Sequence, residues 1–413
     1  MPHSDAGPRA DVVIGLAWAG DPATLAPTVD AVRCGIARYL ESSQTRIVVA
    51  QRAPADSPGE HTGDLPPVSV PVTALTYTVD ASDVLGTPYH GLAGRANALR
   101  ALLETAYRSD AKACAILDAS ADVTPDCVRW LVRPILDRSM DFVTAYYPRH
   151  AVDGGITKSI LAPIFRAVFG CRIRQPAARD FGCSRKTLAH VLDDSAWEEG
   201  SRDAAIDVWM SAEAVCSGLR IAEAGLACRQ QELKVADVST TLGQVAGSLF
   251  VEVERRSEFW QRVRPSVVVE EVGPPSSAMG REPTVDVPRL VESFRLGYQE
   301  LRDIWSEMLP PMALVDLKQL AHAPIERFRL DDRLWARIVY DFAVAHRLHL
   351  VGRDHLLGSL TPLYLGWLSS FVLDTDHLEA AAVDARIERV SAGFEAEKRY
   401  LISRWRWPER FRN

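Results

Sequence analysis

Four short apolar runs, each about the length of a strand, constrain this chain more than anything else in it. They are Asp11-Val-Val-Ile-Gly-Leu16, Arg46-Ile-Val-Val-Ala50, VPVTALTYTV at 70–79 and Cys114-Ala-Ile-Leu-Asp118. Near-continuous apolar strands are those buried on both faces of a sheet, which is the situation of parallel strands covered by helices. The intervening sequence supplies the helices. Leu25, Val29, Val32, Ile36 and Leu40 recur at steps of three and four, an amphipathic helical period. GLAGRANALRALLETAY (91–107) passes from glycines into a helix with Leu99, Leu102 and Leu103 on one face. Strands alternating with helices predict an α/β fold with a mostly parallel sheet and helices on both faces. Ligands of such sheets bind outside the carboxyl ends of the strands, which puts Asp118 at the expected mouth.

PPSSAMGREPTVDVP (274–288) combines Pro, Gly, Ser and charge with no apolar period, a linker signal. Beyond it the pattern is helical, as in LVESFRLGYQELRDIWSEML (290–309) and LWARIVYDFAVAHRL (334–348). The expected organisation is a catalytic-type α/β domain over 1–270, a linker over 271–288 and an all-helical domain over 289–413. The long amphipathic helices of the last part suit either packing on the first domain or a homodimer interface.

Bulk properties exclude several classes. A net charge of -7 spread along 413 residues leaves no basic face for nucleic acid. The start, MPHSDAGPRADV, lacks a positive region followed by an apolar one, so no signal peptide is read. SLTPLYLGWLSSFVL (359–373) is too short and too rich in Ser, Thr and Pro for an expected membrane span. Seven cysteines, an odd number without CxxC spacing, read as reduced thiols of a cytoplasmic protein rather than a disulfide frame or zinc site.

Several segments carry further chemistry: GRANALRALLE (94–104), LDAS with TPD (117–126), YYPRHAVDGGITKSI (146–160), RQPAARDFGCS (174–184), AIDVWMSA (205–212), LGQVAGSLF (242–250) and SLTPLYLG (359–366). Taken in order, they resemble the GT-A glycosyltransferases, specifically the bacterial relatives of mannosylglycerate synthase and glucosyl-3-phosphoglycerate synthase. The resemblance implies a GT-A sheet and a retaining transfer of a sugar from a nucleotide-sugar to a small, anionic acceptor such as one bearing a carboxylate. A leaving diphosphate needs a divalent metal or fixed cations, and an oxocarbenium-like centre gains from a nearby carboxylate.

On the matching positions, the resemblance implies donor binding by Arg95, Asn97, Asp118, Gln175 and Arg179. It implies acceptor binding by Arg149, Asp153 and Thr157, with Arg149 as a fork for a carboxylate. Asp207 and Asp180 stand as the acids near the sugar. Each position has a plainer reading: Arg95 as a solvated helix start, Arg149 with Asp153 as a structural loop pair, Asp207 as an acid favoured at a helix N-terminus. The chain also departs from the family pattern. Ser120 replaces the second acid after Asp118, Ala236 replaces a histidine ligand, and Ala178-Arg179 replaces a Gly-Gly pair. A Mg²⁺ or Mn²⁺ ion would then rest on Asp118 and Asp122, Asp237 being another oxygen donor, and Arg179 offers charge in the metal's stead.

Two other functions stay open on the sequence. One is a catalytically weakened homologue that binds a sugar nucleotide or regulates a partner. The other is a nucleotidyltransferase, whose phosphate loop would want a basic residue that GLAWAGDPA (15–23) lacks.

Overall fold

The computed structural model describes residues 9–52, 65, 68, 70–79, 92–119, 122–147, 153–193, 195, 197–198, 205–227, 238–263, 265–274, 285–376 and 378–408. The chain divides into two compact units. The first takes 1–148, 175–232 and 269–277, and the second takes 149–174, 233–268 and 278–413. Segments 149–174 and 233–268, which the sequence reading set in the α/β part, thus group with the C-terminal helices. The expected linker is itself divided between the units at 277/278.

The first unit holds an eight-stranded sheet. Its strands are β1 Val12–Ala17, β2 Thr45–Arg52, β3 Thr73–Tyr77, β4 Ala113–Asp118, β5 Phe142–Tyr146, β6 Phe181–Ser184, β7 Ile221–Gly225 and β8 Glu270–Val272. Their order across the sheet is β8-β7-β5-β6-β4-β1-β2-β3. Every neighbouring pair is parallel except those made by β6, which runs antiparallel to both β4 and β5. The mostly parallel sheet and the helical C-terminal part are as the sequence predicts.

Successive side chains of a strand point to opposite faces, and β1 shows what covers each one. Val12, Ile14 and Leu16 share a core with Leu25, Val29 and Val32 of α1 (Pro22–Tyr39) and with Val128 and Leu131 of α3 (Pro125–Arg138). Val13 and Ala17 share the opposite core with Leu99, Leu102 and Leu103 of α2 (Arg95–Arg108). The apolar runs lack alternation because both faces are buried.

Two features of the sheet prepare a site. Strand order reverses at β1, with β2 on one side and β4 on the other, and such a switch point opens a crevice at the strand carboxyl ends. The antiparallel β6 begins where β4 and β5 finish, since Phe181 pairs with Ile116 and with Thr144. Residues 179 and 180 are therefore delivered to the carboxyl ends of β4 and β5. Gly182 allows this, because a Cβ there would strike the carbonyl oxygen of Leu131 on α3.

The second unit is helical apart from a short parallel pairing of Cys171–Arg172 with Val267–Val268. It contains α6 Val238–Arg255, α7 Val287–Ser306, α8 Pro311–His322, α9 Asp332–Leu348, α10 Arg353–Thr375 and α11 Ala380–Arg406. Before them, Thr157–Leu161 and Phe165–Phe169 wind as π-helical turns. α10 runs 23 residues, well beyond the 359–373 stretch marked by composition, and is long and apolar enough to cross a membrane. Buried Ser359, Ser369 and Ser370 and a share of 61% burial along its apolar window fit a core helix of this unit.

Candidate functional site

Four chain segments converge beyond the end of β4. Asp118 closes that strand, and its backbone N–H donates to Asp180 Oδ1 at 2.7 Å. Arg179, one residue earlier, donates from Nη1 to Asp118 Oδ2 at 3.1 Å. Arg95, the first residue of α2, reaches Asp207 in the first turn of α5 (Ile206–Cys216), the helix after α4 (Arg185–Val191). Its Nε lies 2.7 Å from Oδ2 and its Nη2 lies 2.8 Å from Oδ1, a two-point fork. The same Nη2 donates to the carbonyl of Arg179 at 2.8 Å, which joins the two ion pairs into one network.

The network is buried: Arg95 is 5% exposed, Asp118 5%, Arg179 9%, Asp180 1% and Asp207 2%. Burial raises the Asp180 carboxyl to about 6, with the neighbouring Asp118 charge adding to it and the Tyr147 hydroxyl opposing. Burial also raises Asp207, against the pull of Arg95. For Arg95, burial acts downward, but Asp207, and behind it Asp118 and Asp180, hold the guanidinium above its usual value. Three carboxylates face two guanidiniums, so one proton on Asp180 would make the set electrically even. Among the described residues Arg95 Nη1 is buried with no hydrogen-bond partner, a donor left over after the fork is made.

Arg95, Asp118, Arg179, Asp180 and Asp207 are thus brought together. The plainer reading of Arg95 as a solvated helix start is wrong, since its guanidinium is enclosed. Asp207 does stand in the first turn of a helix, but its two oxygens serve Arg95. Two other predicted residues bond to backbone groups. Asn97 donates from Nδ2 to the carbonyl of Thr78 at 2.9 Å, fastening α2 to the exit of β3. Gln175 is buried, with Oε1 accepting from the Tyr147 N–H at 3.4 Å and its carbonyl accepting from Thr144 Oγ1 at 3.2 Å. Asp153 and Thr157 belong to the second unit, the latter opening a π-helical turn. Arg149, Ser120, Ala236 and Asp237 lie outside the described residues.

Sequence reasoning missed Tyr147. Its hydroxyl donates to Asp180 Oδ2 at 2.5 Å and accepts from the Asp180 N–H at 3.2 Å. The signal was present in YYPRH, whose second tyrosine follows β5 directly.

The expected cation site on Asp118 and Asp122 does not fit the described residues. Asp118 already carries the Arg179 guanidinium, Asp180 spends its oxygens on an N–H and a hydroxyl, and Asp207 spends both on Arg95. Asp122 is exposed. No three His, Cys, Asp or Glu side chains gather to hold a metal among the described residues.

No protein-family model and no curated protein sequence matches the chain. Among solved structures it is similar to glucosyl-3-phosphoglycerate synthase from Mycobacterium tuberculosis in complex with Mn²⁺, uridine-diphosphate-glucose and phosphoglyceric acid. That likeness has 14% identity, covers 59% of this chain and 80% of that one, and has a TM-score of 0.42. The chain is also similar to mannosyl-3-phosphoglycerate synthase from Rubrobacter xylanophilus, at 18% identity over 62% of this chain and 78% of that one, with a TM-score of 0.39.

Proposed function

We propose that this chain is a GT-A-type glycosyltransferase that moves a sugar, with retention, from a nucleotide-sugar to a small anionic acceptor. The observation that carries the reading is the buried network of Arg95, Asp118, Arg179, Asp180 and Asp207 at the switch point of a mostly parallel sheet. The ordered motifs that hold these residues support it.

In this reading the bond from the sugar's anomeric carbon to the diphosphate oxygen breaks, the acceptor's hydroxyl oxygen bonds that carbon on the same face, and its proton passes to the departing diphosphate. Arg179 and the unspent Nη1 of Arg95 meet the charge on the departing diphosphate, a task for preorganised cations in an enclosed site. Asp207 supplies negative charge for the oxocarbenium-like centre, and Asp180 adds to it when ionised. Asn97 and Gln175 hold the donor site's walls in place through backbone carbonyl and N–H groups. Arg149, Asp153 and Thr157 take the acceptor. A Mg²⁺ or Mn²⁺ ion would supply charge stabilisation of the same kind, but the carboxylates of the network are already paired, so the arginines take that role.

The test is direct. The chain is incubated with UDP-, GDP- and ADP-sugars and D-glycerate or 3-phosphoglycerate, and products are read by mass spectrometry and by the anomeric coupling in NMR. Transfer with retained configuration, lost in Arg95→Ala and Asp207→Asn, supports the reading. Inverted product, or transfer that persists in both variants, contradicts it. A second reading, a weakened homologue that binds the sugar nucleotide without transferring it, draws on one observation: the oxygens of Asp180 and Asp207 are already occupied. Nucleotide-sugar binding without product selects that reading.

A further inference from the structure

The Asp153–Thr157 stretch, assigned above to the acceptor, lies in the second unit against α10. Gly155 carries no side chain, and a Cβ added there would collide with the phenol oxygen of Tyr364. The glycine is thus a space kept for that hydroxyl. Tyr364 is 4% exposed and makes no hydrogen bond among the described residues.

Two more polar groups of this unit are unpaired among the described residues. Trp367 follows Tyr364 by one turn, their rings stacked with centroids 6.3 Å apart, and its Nε1 is buried without a partner. Trp335 of α9 stacks on Trp367 at 6.2 Å and donates its own Nε1 to the carbonyl of Ser159 at 2.9 Å. Ser159 lies in the π-helical turn that Thr157 opens, and its Oγ is likewise buried without a partner. Buried polar groups nearly always find a partner within the protein or in bound solvent or ligand. Two buried groups without a partner among the described residues, one on the π-helical turn after the Gly-Gly pair and one on the indole stacked against Tyr364, fit a ligand-facing arrangement.

We propose that Tyr364, with Ser159 on the π-helical turn that follows Gly155, contacts a small carboxylate-bearing acceptor and sets specificity for it, Gly155 being the residue that admits the phenol. The inference rests on the glycosyltransferase reading and extends it to α10, where the acceptor segment alone did not reach. The groups are neutral donors, suited to carboxylate oxygens. Burial keeps the phenol of Tyr364 protonated, since its titration is pushed well above the usual range.

Calorimetry on the full chain tests this with D-glycerate, 3-phosphoglycerate and inorganic phosphate as acceptor probes and UDP-glucose as donor probe. We expect a carboxylate probe to bind. Tyr364→Phe should weaken it about ten- to a hundredfold, the range for losing a hydrogen bond to a charged group, with UDP-glucose affinity unchanged. Ser159→Ala should weaken the same probe, and Gly155→Ala should abolish its binding. Wild-type protein that binds neither carboxylate probe overturns the proposal. So does binding of inorganic phosphate as tight as that of 3-phosphoglycerate, or affinities within twofold of wild type in both Tyr364→Phe and Ser159→Ala. Should a carboxylate probe respond to Tyr364→Phe while no nucleotide-sugar binds, this proposal stands and the glycosyltransferase reading falls.

Discussion

Arg95 and Asp207, 112 residues apart in sequence, meet as a buried two-point ion pair, 2.7 Å from Nε to Oδ2 and 2.8 Å from Nη2 to Oδ1. A pair like this contributes less by being present than it costs when half of it is removed. Asp207→Ala would leave the enclosed Arg95 guanidinium without its main counter-charge. We expect a loss of about 3–5 kcal/mol of stability, read by urea unfolding. Replacing both residues, as Arg95→Leu with Asp207→Leu, should recover most of that loss while nucleotide-sugar binding stays absent. Arg95→Lys should not rescue binding, because an ammonium cannot reproduce the fork.

Asp180 supplies a pH dependence with a definite sign. Its carboxyl rises from the usual 3.8 to about 6 in the folded protein. The folded state therefore holds this proton more tightly than the unfolded chain does. The stability it contributes is complete below pH 3.8 and is lost as pH climbs through about 6. Relative to Asp180→Asn, the wild type should lose stability between those values and run parallel to it above them. Denaturation curves across that range check this, and a wild-type advantage that grows with rising pH would contradict it.

An anion bound beside the network should favour the protonated Asp180. Nucleotide-sugar affinity should consequently increase as pH falls from 8 toward about 6, with proton uptake on binding. Calorimetry in two buffers of different ionisation enthalpy measures that uptake.

Gly182 makes a purely structural prediction inside a motif that resembles a functional one. A Cβ at this position would overlap the carbonyl of Leu131, and backbone on a buried helix has little room to yield. We expect Gly182→Ala to cost at least the 1–3 kcal/mol or so typical of overpacking. Thermal unfolding should show that loss in the absence of any ligand.

Much of the sheet was legible because burial on both faces leaves an unmistakable trace: Val12 to Leu16, Ile47 to Ala50 and Cys114 to Leu117 carry no polar residue. The position of Asp118 followed from the same logic. What could not be read was the insertion of β6 between β4 and β5, because a four-residue strand pairs by register, and register depends on partners distant in sequence. Without it, only the family resemblance brings Arg179 to the side of Asp118, and nothing in the sequence says that Tyr147 will hold Asp180. The regrouping of 149–174 with the C-terminal helices was hidden for a related reason. Its apolar residues, such as Ile160, Leu161 and Phe165, show a period that fits a helix in either unit.

The pairing of Arg179 with Asp118 is where the account is most exposed, since it assigns to an arginine the charge that a divalent ion would carry. Nucleotide-sugar binding measured for wild type, Arg179→Ala and Asp118→Ala, each with Mn²⁺ and with chelator, decides it. We expect binding that hardly changes with Mn²⁺ and that falls further in Arg179→Ala than in Asp118→Ala. A sub-millimolar Mn²⁺ requirement, abolished by Asp118→Ala and untouched by Arg179→Ala, would contradict the account and return the leaving group to a metal.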